Sequence, residues 1–216
     1  MPHAATNLLL AYSAYAIGVA SPGPSNLAIM GMAMRAGRRP ALLLALGIVS
    51  GSVFWGLLAA FGLSALLAAY AGALVAMKLM GGLYLLWLAV RSARAALGPH
   101  AEAALGGGIA ESGLRIYLRG AAMHVTNPKA IFVWLSIVSL AVPPGAHAAE
   151  ALWVVAGCLP LGIVIFGGYA CLFSVPAVRS GYLAVRRGFE AGLAVVFGYT
   201  GLRLLIPMDH LRGEAH

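Results

Sequence analysis

The sequence predicts an all-α polytopic membrane protein of six transmembrane helices, arranged as two inverted three-helix repeats, with the first and fourth spans broken by proline. Three observations predict it. The chain is 62% hydrophobic and only 9% charged, with a mean hydropathy of +0.92, a balance far too apolar for an ordinary water-soluble domain. Its apolar residues gather into six runs, each long enough to cross a ~30 Å hydrocarbon core as a helix of ~20 residues. Its arginines concentrate in alternate connectors, as a topology signal does.

The first run is Leu8–Met34. Its opening stretch ends in Gly18-Val19-Ala20, which resembles a signal-peptidase site. The first seven residues hold no Lys or Arg, however, and the run stays apolar after Pro24, so a retained first span is expected. Ala41–Ala69 and Gly72–Val90 follow, separated by a turn near Tyr70, and then Gly120–Val142, Ala151–Val175 and Gly188–Ile206. The breakers and charges lie between them, in Arg35-Ala36-Gly37-Arg38-Arg39-Pro40, Arg91–Arg119, Pro143–Glu150 and Pro176–Arg187.

Counted by connector, Lys and Arg number three after the first span, four after the third and three after the fifth, with none after the second or fourth. The positive-inside rule then puts those connectors in the cytoplasm and both termini in the periplasm. Arg212 in the tail is the one dissent. Residues 97–118, with Gly106-Gly107-Gly108, read as a cytoplasmic linker between a first repeat at 1–96 and a second at 119–216. Each half opens with a proline-broken span and closes with a glycine-rich one, and an odd number of spans per half makes the repeats inverted.

A net charge of +8 invites a nucleic-acid reading. The arginines sit in short connectors and not on an aromatic-interleaved surface, so nucleic acid is excluded and anionic membrane lipid is the expected partner. Cys158 and Cys171 fall in one run, thirteen positions apart. On one helix that is ~20 Å, far beyond disulfide reach, so both are expected to be free. No metal spacing, phosphate loop, HExxH or GxSxG occurs, and neither a cofactor nor enzyme chemistry is expected.

Chemistry is expected where the apolar runs are violated. Ser21-Pro22-Gly23-Pro24-Ser25-Asn26 interrupts the first run, and two prolines there remove two backbone donors, so the helix must stop and restart. Pro24 suits the first position of the new helix, whose free amides then carry the positive end of a dipole and attract an anion such as a carboxylate. Irregular backbone at membrane depth is tolerated only against protein or a cavity, so the break marks a pathway, unless it is a kink needed for packing alone. His124-Val125-Thr126-Asn127-Pro128-Lys129-Ala130 repeats the device in the fourth run, with Asn127 as cap and Pro128 as first helical residue.

Both lysines of the chain, Lys78 and Lys129, lie inside apolar runs, where a charge is expensive and marks a site unless it snorkels to the interface. His124, one turn before Lys129, is either a titrating group or a satisfied packing residue. Glu190 is the only acid that enters a span, near the cytoplasmic start of the sixth, and is a candidate for coupling or an interfacial partner of Arg186 or Arg187. Gly47-x3-Gly51 and Gly81-Gly82 with Tyr84 read first as close helix approaches.

These motifs resemble the LysE/RhtB-type amino-acid exporters of bacterial inner membranes, along nearly the whole chain. The resemblance rests on Ser21-Pro22-Gly23-Pro24, Lys78-x2-Gly81-Gly82-x-Tyr84-Leu85, Gly120 through Asn127-Pro128-Lys129-Ala130, and Arg187-Gly188 before a glycine-rich last span. It implies export of amino acids or close derivatives, coupled to the proton gradient, with Pro22, Gly23, Pro24, Asn127, Pro128 and Lys129 at the core and Lys78 and Tyr84 beside them. His124 stands where the family commonly has asparagine, and Ser25-Asn26 varies a position that is often Asn or Asp in relatives.

The expected mechanism is alternating access around a midplane site. The helix starts after Pro24 and Pro128, with Lys129, would hold a substrate carboxylate, and the carbonyls near Ala20 and Thr126 its ammonium. No acid is available for a cationic side chain, which favours a neutral amino acid. A passive channel or lipid-handling protein is the rival reading. A homo-oligomer is compatible with the sequence, which leaves the oligomeric state open.

Overall fold

The computed structural model describes residues 2–63, 71–97, 111–141 and 148–205. Among these, every regular element is helical: α1 Pro2–Ala20, α2 Pro24–Ala36, α3 Arg38–Leu58 continued by a π-helical turn at Ala59–Leu63, α4 Ala71–Leu97, α5 Gly113–Val125, α6 Pro128–Ala141, α7 Ala148–Leu172 and α8 Pro176–Leu205. The turn near Tyr70, Gly106-Gly107-Gly108, Pro143 and Arg212 lie outside the described residues, as does the side chain of Lys78 on α4.

Both helix interruptions expected from the prolines are present, at residues 21–23 between α1 and α2 and at 126–127 between α5 and α6. Elsewhere the helices run further than the apolar runs. Arg38 already opens α3, α4 carries past Arg91 to Leu97, and α5 starts at Gly113, ahead of Gly120, because the Ser112 hydroxyl caps it by accepting from the Arg115 amide at 3.4 Å. Pro176, expected in a connector, is the first residue of α8, where its missing N–H costs nothing. Hydropathy finds where a helix is apolar; caps and prolines decide where it begins.

Gly37 makes the sharp passage from α2 to α3 at φ 86, a backbone that only glycine adopts readily. Two of the described helices, Arg38–Gly62 and Ala149–Leu172, are long and apolar enough to cross a membrane, and Leu8–Ala20 and Pro128–Val138 are shorter apolar segments. The outer surface carries large apolar side chains, among them Leu9, Ile17, Trp153 and Val164, each about 70% exposed. Apolar cover of this extent is what lipid solvates and water does not.

The described residues pack as two compact units, Met1–Ala69 with Leu105–Gly181, and Tyr70–Ala104 with Tyr182–His216. In the first unit, α3 and α5 lie almost backbone to backbone. A Cβ on Gly47 would run into the Tyr117 carbonyl, one on Gly120 into the Leu44 carbonyl, and one on Gly51 into His124 Cβ at 2.9 Å. Glycine at these positions therefore permits the approach that presses His124 against α3, as the Gly47-x3-Gly51 spacing suggested. In the second unit, α4 and α8 approach through Gly82 and Gly201, and Tyr84 stacks on Trp87 with ring centroids 5.7 Å apart. Cys158 and Cys171 are free thiols on α7.

Candidate functional site

The last carbonyls of α1 lose their helical partners, because Pro22 and Pro24 have no amides for Gly18 and Ala20 and the extended backbone at Gly23 carries the chain away from Val19; the Ser21 hydroxyl closes the Gly18 carbonyl at 2.8 Å. Side chains replace those amides. Asn26, buried on the first turn of α2, turns its Nδ2 back to donate to the Val19 carbonyl at 2.8 Å and the Ser21 carbonyl at 3.0 Å. The Tyr169 hydroxyl donates to the Ala20 carbonyl at 2.8 Å. The Lys129 ammonium donates to the Ser21 carbonyl. The carbonyls expected to stand open are thus engaged by protein donors. By contrast, α2 begins behind Gly23 with no side-chain cap, and its first backbone bond runs from the Leu27 amide to the Gly23 carbonyl at 2.9 Å.

At the second interruption Asn127 works in both directions. Its Oδ1 accepts from the Lys129 amide at 3.1 Å, its carbonyl accepts from the Ala130 amide at 3.0 Å, and its Nδ2 donates to Ser25 Oγ at 3.2 Å. Ser25 Oγ in turn lies 3.0 Å from His124 Nδ1. Residues a hundred positions apart are thereby joined in one buried polar chain running His124, Ser25, Asn127. The Val125 carbonyl is closed by Trp55 Nε1 at 3.0 Å.

These groups line a cavity of about 20 Å³, to which Gly23, Ser25, Asn26, His124, Asn127 and Lys129 all contribute. That is room for about one water molecule. Tyr15, Ser52, Val133, Trp134 and Phe166 also line it, with the Phe166 ring edge-to-face on His124 at 5.7 Å between centroids. Ser52 Oγ accepts from Trp134 Nε1 at 2.9 Å and pairs with the Tyr15 hydroxyl at 3.3 Å, and the Tyr15 and Trp134 rings pack with centroids 5.0 Å apart. No carboxylate lines the cavity.

The structure therefore gathers Gly23, Ser25, Asn26, His124, Asn127 and Lys129 around one space, with Pro22, Pro24 and Pro128 shaping the two helix ends beside it. Tyr84 and Glu190 belong to the second unit, Glu190 buried and Tyr84 half-buried there. Lys78 is on the α4 backbone of that unit. Tyr15, Ser52, Trp134, Phe166 and Tyr169 are the members that the sequence did not single out. Of these, Ser52 left a trace, as a hydroxyl beside Gly51 in the middle of an apolar run; the aromatics are indistinguishable from packing residues.

The LysE type translocator profile matches residues 16–207, nearly the whole chain and both interruptions. The chain belongs to the LysE type translocator family. Among its relatives, the threonine efflux protein of Salmonella typhi is 31% identical over 199 residues, covering 88% of this chain and 93% of the relative. The threonine efflux protein of Escherichia coli strain K12 is 29% identical over 192 residues with the same coverage. The chemotactic transduction protein ChpE of Pseudomonas aeruginosa is 36% identical over 114 residues, about half of each chain. No solved structure matches this translocator.

Proposed function

We propose that this translocator exports neutral amino acids across the bacterial inner membrane by alternating access, in exchange for protons. Two relatives that match it nearly end to end are threonine efflux proteins. The observation that carries the reading is the cavity between the two interrupted helices, which brings together a half-buried ammonium and an uncapped helix start with no acid among the residues that line it. A zwitterion supplies what that environment lacks. Its carboxylate goes to Lys129 and the start of α2, where the helix dipole and the amine favour an anion. The apolar wall of Val133, Trp134 and Phe166 takes the side chain, and the missing carboxylate disfavours a basic one.

A space for about one water cannot hold an amino acid, so binding one requires the helices to part. Six crossings accommodate that motion, with α1 and α2 as one interrupted crossing, α5 and α6 as another, and residues 1–96 and 119–216 as two inverted repeats joined by the linker at 97–118. The alternating arginine-rich connectors put both termini in the periplasm. His124, in its chain with Ser25 and Asn127, is the group assigned to proton coupling, with Glu190 as a second candidate.

The test is transport by the purified protein in proteoliposomes, with a panel of amino acids and with or without a pH gradient. Uphill movement of threonine or another neutral amino acid that requires the gradient is expected. Movement only down the solute gradient would make the protein a channel. In the same assay Lys129→Met removes a charge-assisted pair with the carboxylate, worth ~1.5–3 kcal/mol, or roughly 10- to 150-fold in transport. Near-normal transport by a correctly inserted Lys129→Met protein would remove this residue from the site.

A further inference from the structure

Lys129 does not point an unoccupied ammonium into the cavity. It donates to the Ser21 carbonyl, and its side chain lies along the first interruption so closely that a Cβ on Gly23 would meet Lys129 Cδ at 3.0 Å and Nζ at 3.1 Å. The first residues of α6 are thus tied across to the broken end of α1 by a single cation on a backbone carbonyl.

A zwitterionic substrate has an ammonium of its own, and with no carboxylate among the lining residues it must go to neutral acceptors, of which the Ser21 carbonyl beside the cavity already holds a cation, that of Lys129. The carbonyls at the break are Val19, Ala20 and Ser21. Asn26 holds the first, Tyr169 the second, and Asn26 with Lys129 the third. Of these donors Lys129 alone carries a charge and a long flexible stem, and it alone gains a better partner when a substrate arrives, since the carboxylate enters with the ammonium.

We infer that Lys129 is a tethered stand-in for the substrate ammonium: it occupies the Ser21 carbonyl when the site is empty, is displaced from it by the substrate's own ammonium, and then pairs with the substrate's carboxylate. This rests on the export reading and adds a selection rule to it. Charge is conserved in the exchange, because one ammonium replaces another on the carbonyl while the carboxylate neutralises the one set free. A carboxylate without an ammonium cannot complete the exchange: pairing with Lys129 would strip the Ser21 carbonyl of its cation and put nothing in its place. Displacement also removes one of the ties between α6 and the end of α1, leaving the Tyr15–Trp134 packing in place.

The chain has only two lysines, which makes the exchange directly observable. Full-length protein labelled with 15N at lysine Nζ gives two side-chain ammonium signals, and the Lys129→Met protein identifies which belongs to Lys129. Three probes are compared: threonine, 2,3-dihydroxybutanoate with a hydroxyl in place of the ammonium, and 1-aminopropan-2-ol without the carboxylate. Threonine should move the Lys129 signal, while 2,3-dihydroxybutanoate and 1-aminopropan-2-ol, each carrying only half of the exchange, should leave it in place, and 2,3-dihydroxybutanoate should compete for threonine transport roughly tenfold or more weakly than unlabelled threonine. Movement of the signal by 2,3-dihydroxybutanoate, with competition within about threefold of threonine, would make Lys129 a plain carboxylate anchor and overturn the displacement while leaving export intact. A Lys129 signal that no probe moves, in protein that transports threonine, overturns it as well. Absence of threonine transport with the signal still moved by alanine and not by lactate would instead count against threonine as cargo and keep the displacement.

Discussion

The two helix interruptions look alike in sequence and are closed in opposite ways. At residues 21–23 the incoming helix ends on carbonyls that side chains must satisfy, from Asn26 nearby and from Tyr169 and Lys129 far along the chain, and the outgoing helix α2 starts uncapped. At residues 126–127 the outgoing helix α6 is capped by Asn127, and the incoming helix is closed by the Thr126 amide and hydroxyl on the Ala122 carbonyl, with Trp55 the one distant donor. The first break is assembled by tertiary structure and leaves a helix start unclaimed; the second is nearly complete in its own sequence. A binding site needs the former, because groups already satisfied locally have nothing to offer a ligand.

That contrast predicts unequal costs of disruption. Asn26→Leu keeps volume but removes the donor to the Val19 and Ser21 carbonyls. At ~1–3 kcal/mol per buried acceptor left unsatisfied, and with Ser21 still held by Lys129 so that Val19 alone is orphaned, a loss of about 1–3 kcal/mol is expected. Thermal or denaturant unfolding in detergent should register it as the largest of the polar substitutions. Asn127→Ala removes a cap and the bond to Ser25 Oγ, and should cost about 1–2 kcal/mol by the same measurement. Equal losses at the two asparagines would erase the distinction between the breaks.

Gly23→Ala separates structure from function at the first break. Gly23 is extended at φ −169, a backbone alanine adopts without strain, so the added methyl acts only through the Lys129 side chain it would touch. Because that side chain is flexible, the stability change should stay within about 0.5 kcal/mol. Threonine transport should fall well before stability does, since the ammonium is pushed from the Ser21 carbonyl. A variant that unfolds as readily as Asn26→Leu would show that Gly23 serves packing instead.

How much of this was legible in the sequence follows the same division. The breaks were readable because proline's missing amide is a property of one residue, and the Asn127 cap because it acts two positions away. Lys129 was conspicuous because a charge in an apolar run has few excuses. What could not be read was the pairing: that Lys129 answers a carbonyl 108 positions earlier, or that Ser25 meets His124 across 99 positions. Tyr169 and Trp134 were hidden for a related reason, since an aromatic in an apolar run has the same pattern whether its polar tip closes a helix break or merely packs. The extent of α8 was missed at its start, where Pro176 resembled a loop residue and is a helix opener.

The smallest expected effect is the sharpest check on the second break. Thr126 Oγ1 donates to the Ala122 carbonyl at 2.9 Å, which already accepts the Thr126 amide at 3.0 Å, and reaches the Met123 carbonyl only at 3.4 Å, so Thr126→Val takes from an acceptor no more than that long contact. The side chain is exposed, and the valine methyl occupies the hydroxyl's place. The change in stability should be within about 0.5 kcal/mol, and its sign reports the surroundings. A slight gain in bilayers or detergent means that acyl chains cover the residue, because removing a hydroxyl from apolar surroundings is favourable; a slight loss means water reaches it. A loss above ~1.5 kcal/mol, comparable to removing a cap, would mean that the hydroxyl holds the incoming helix closed. The second interruption would then depend on a side chain as the first does.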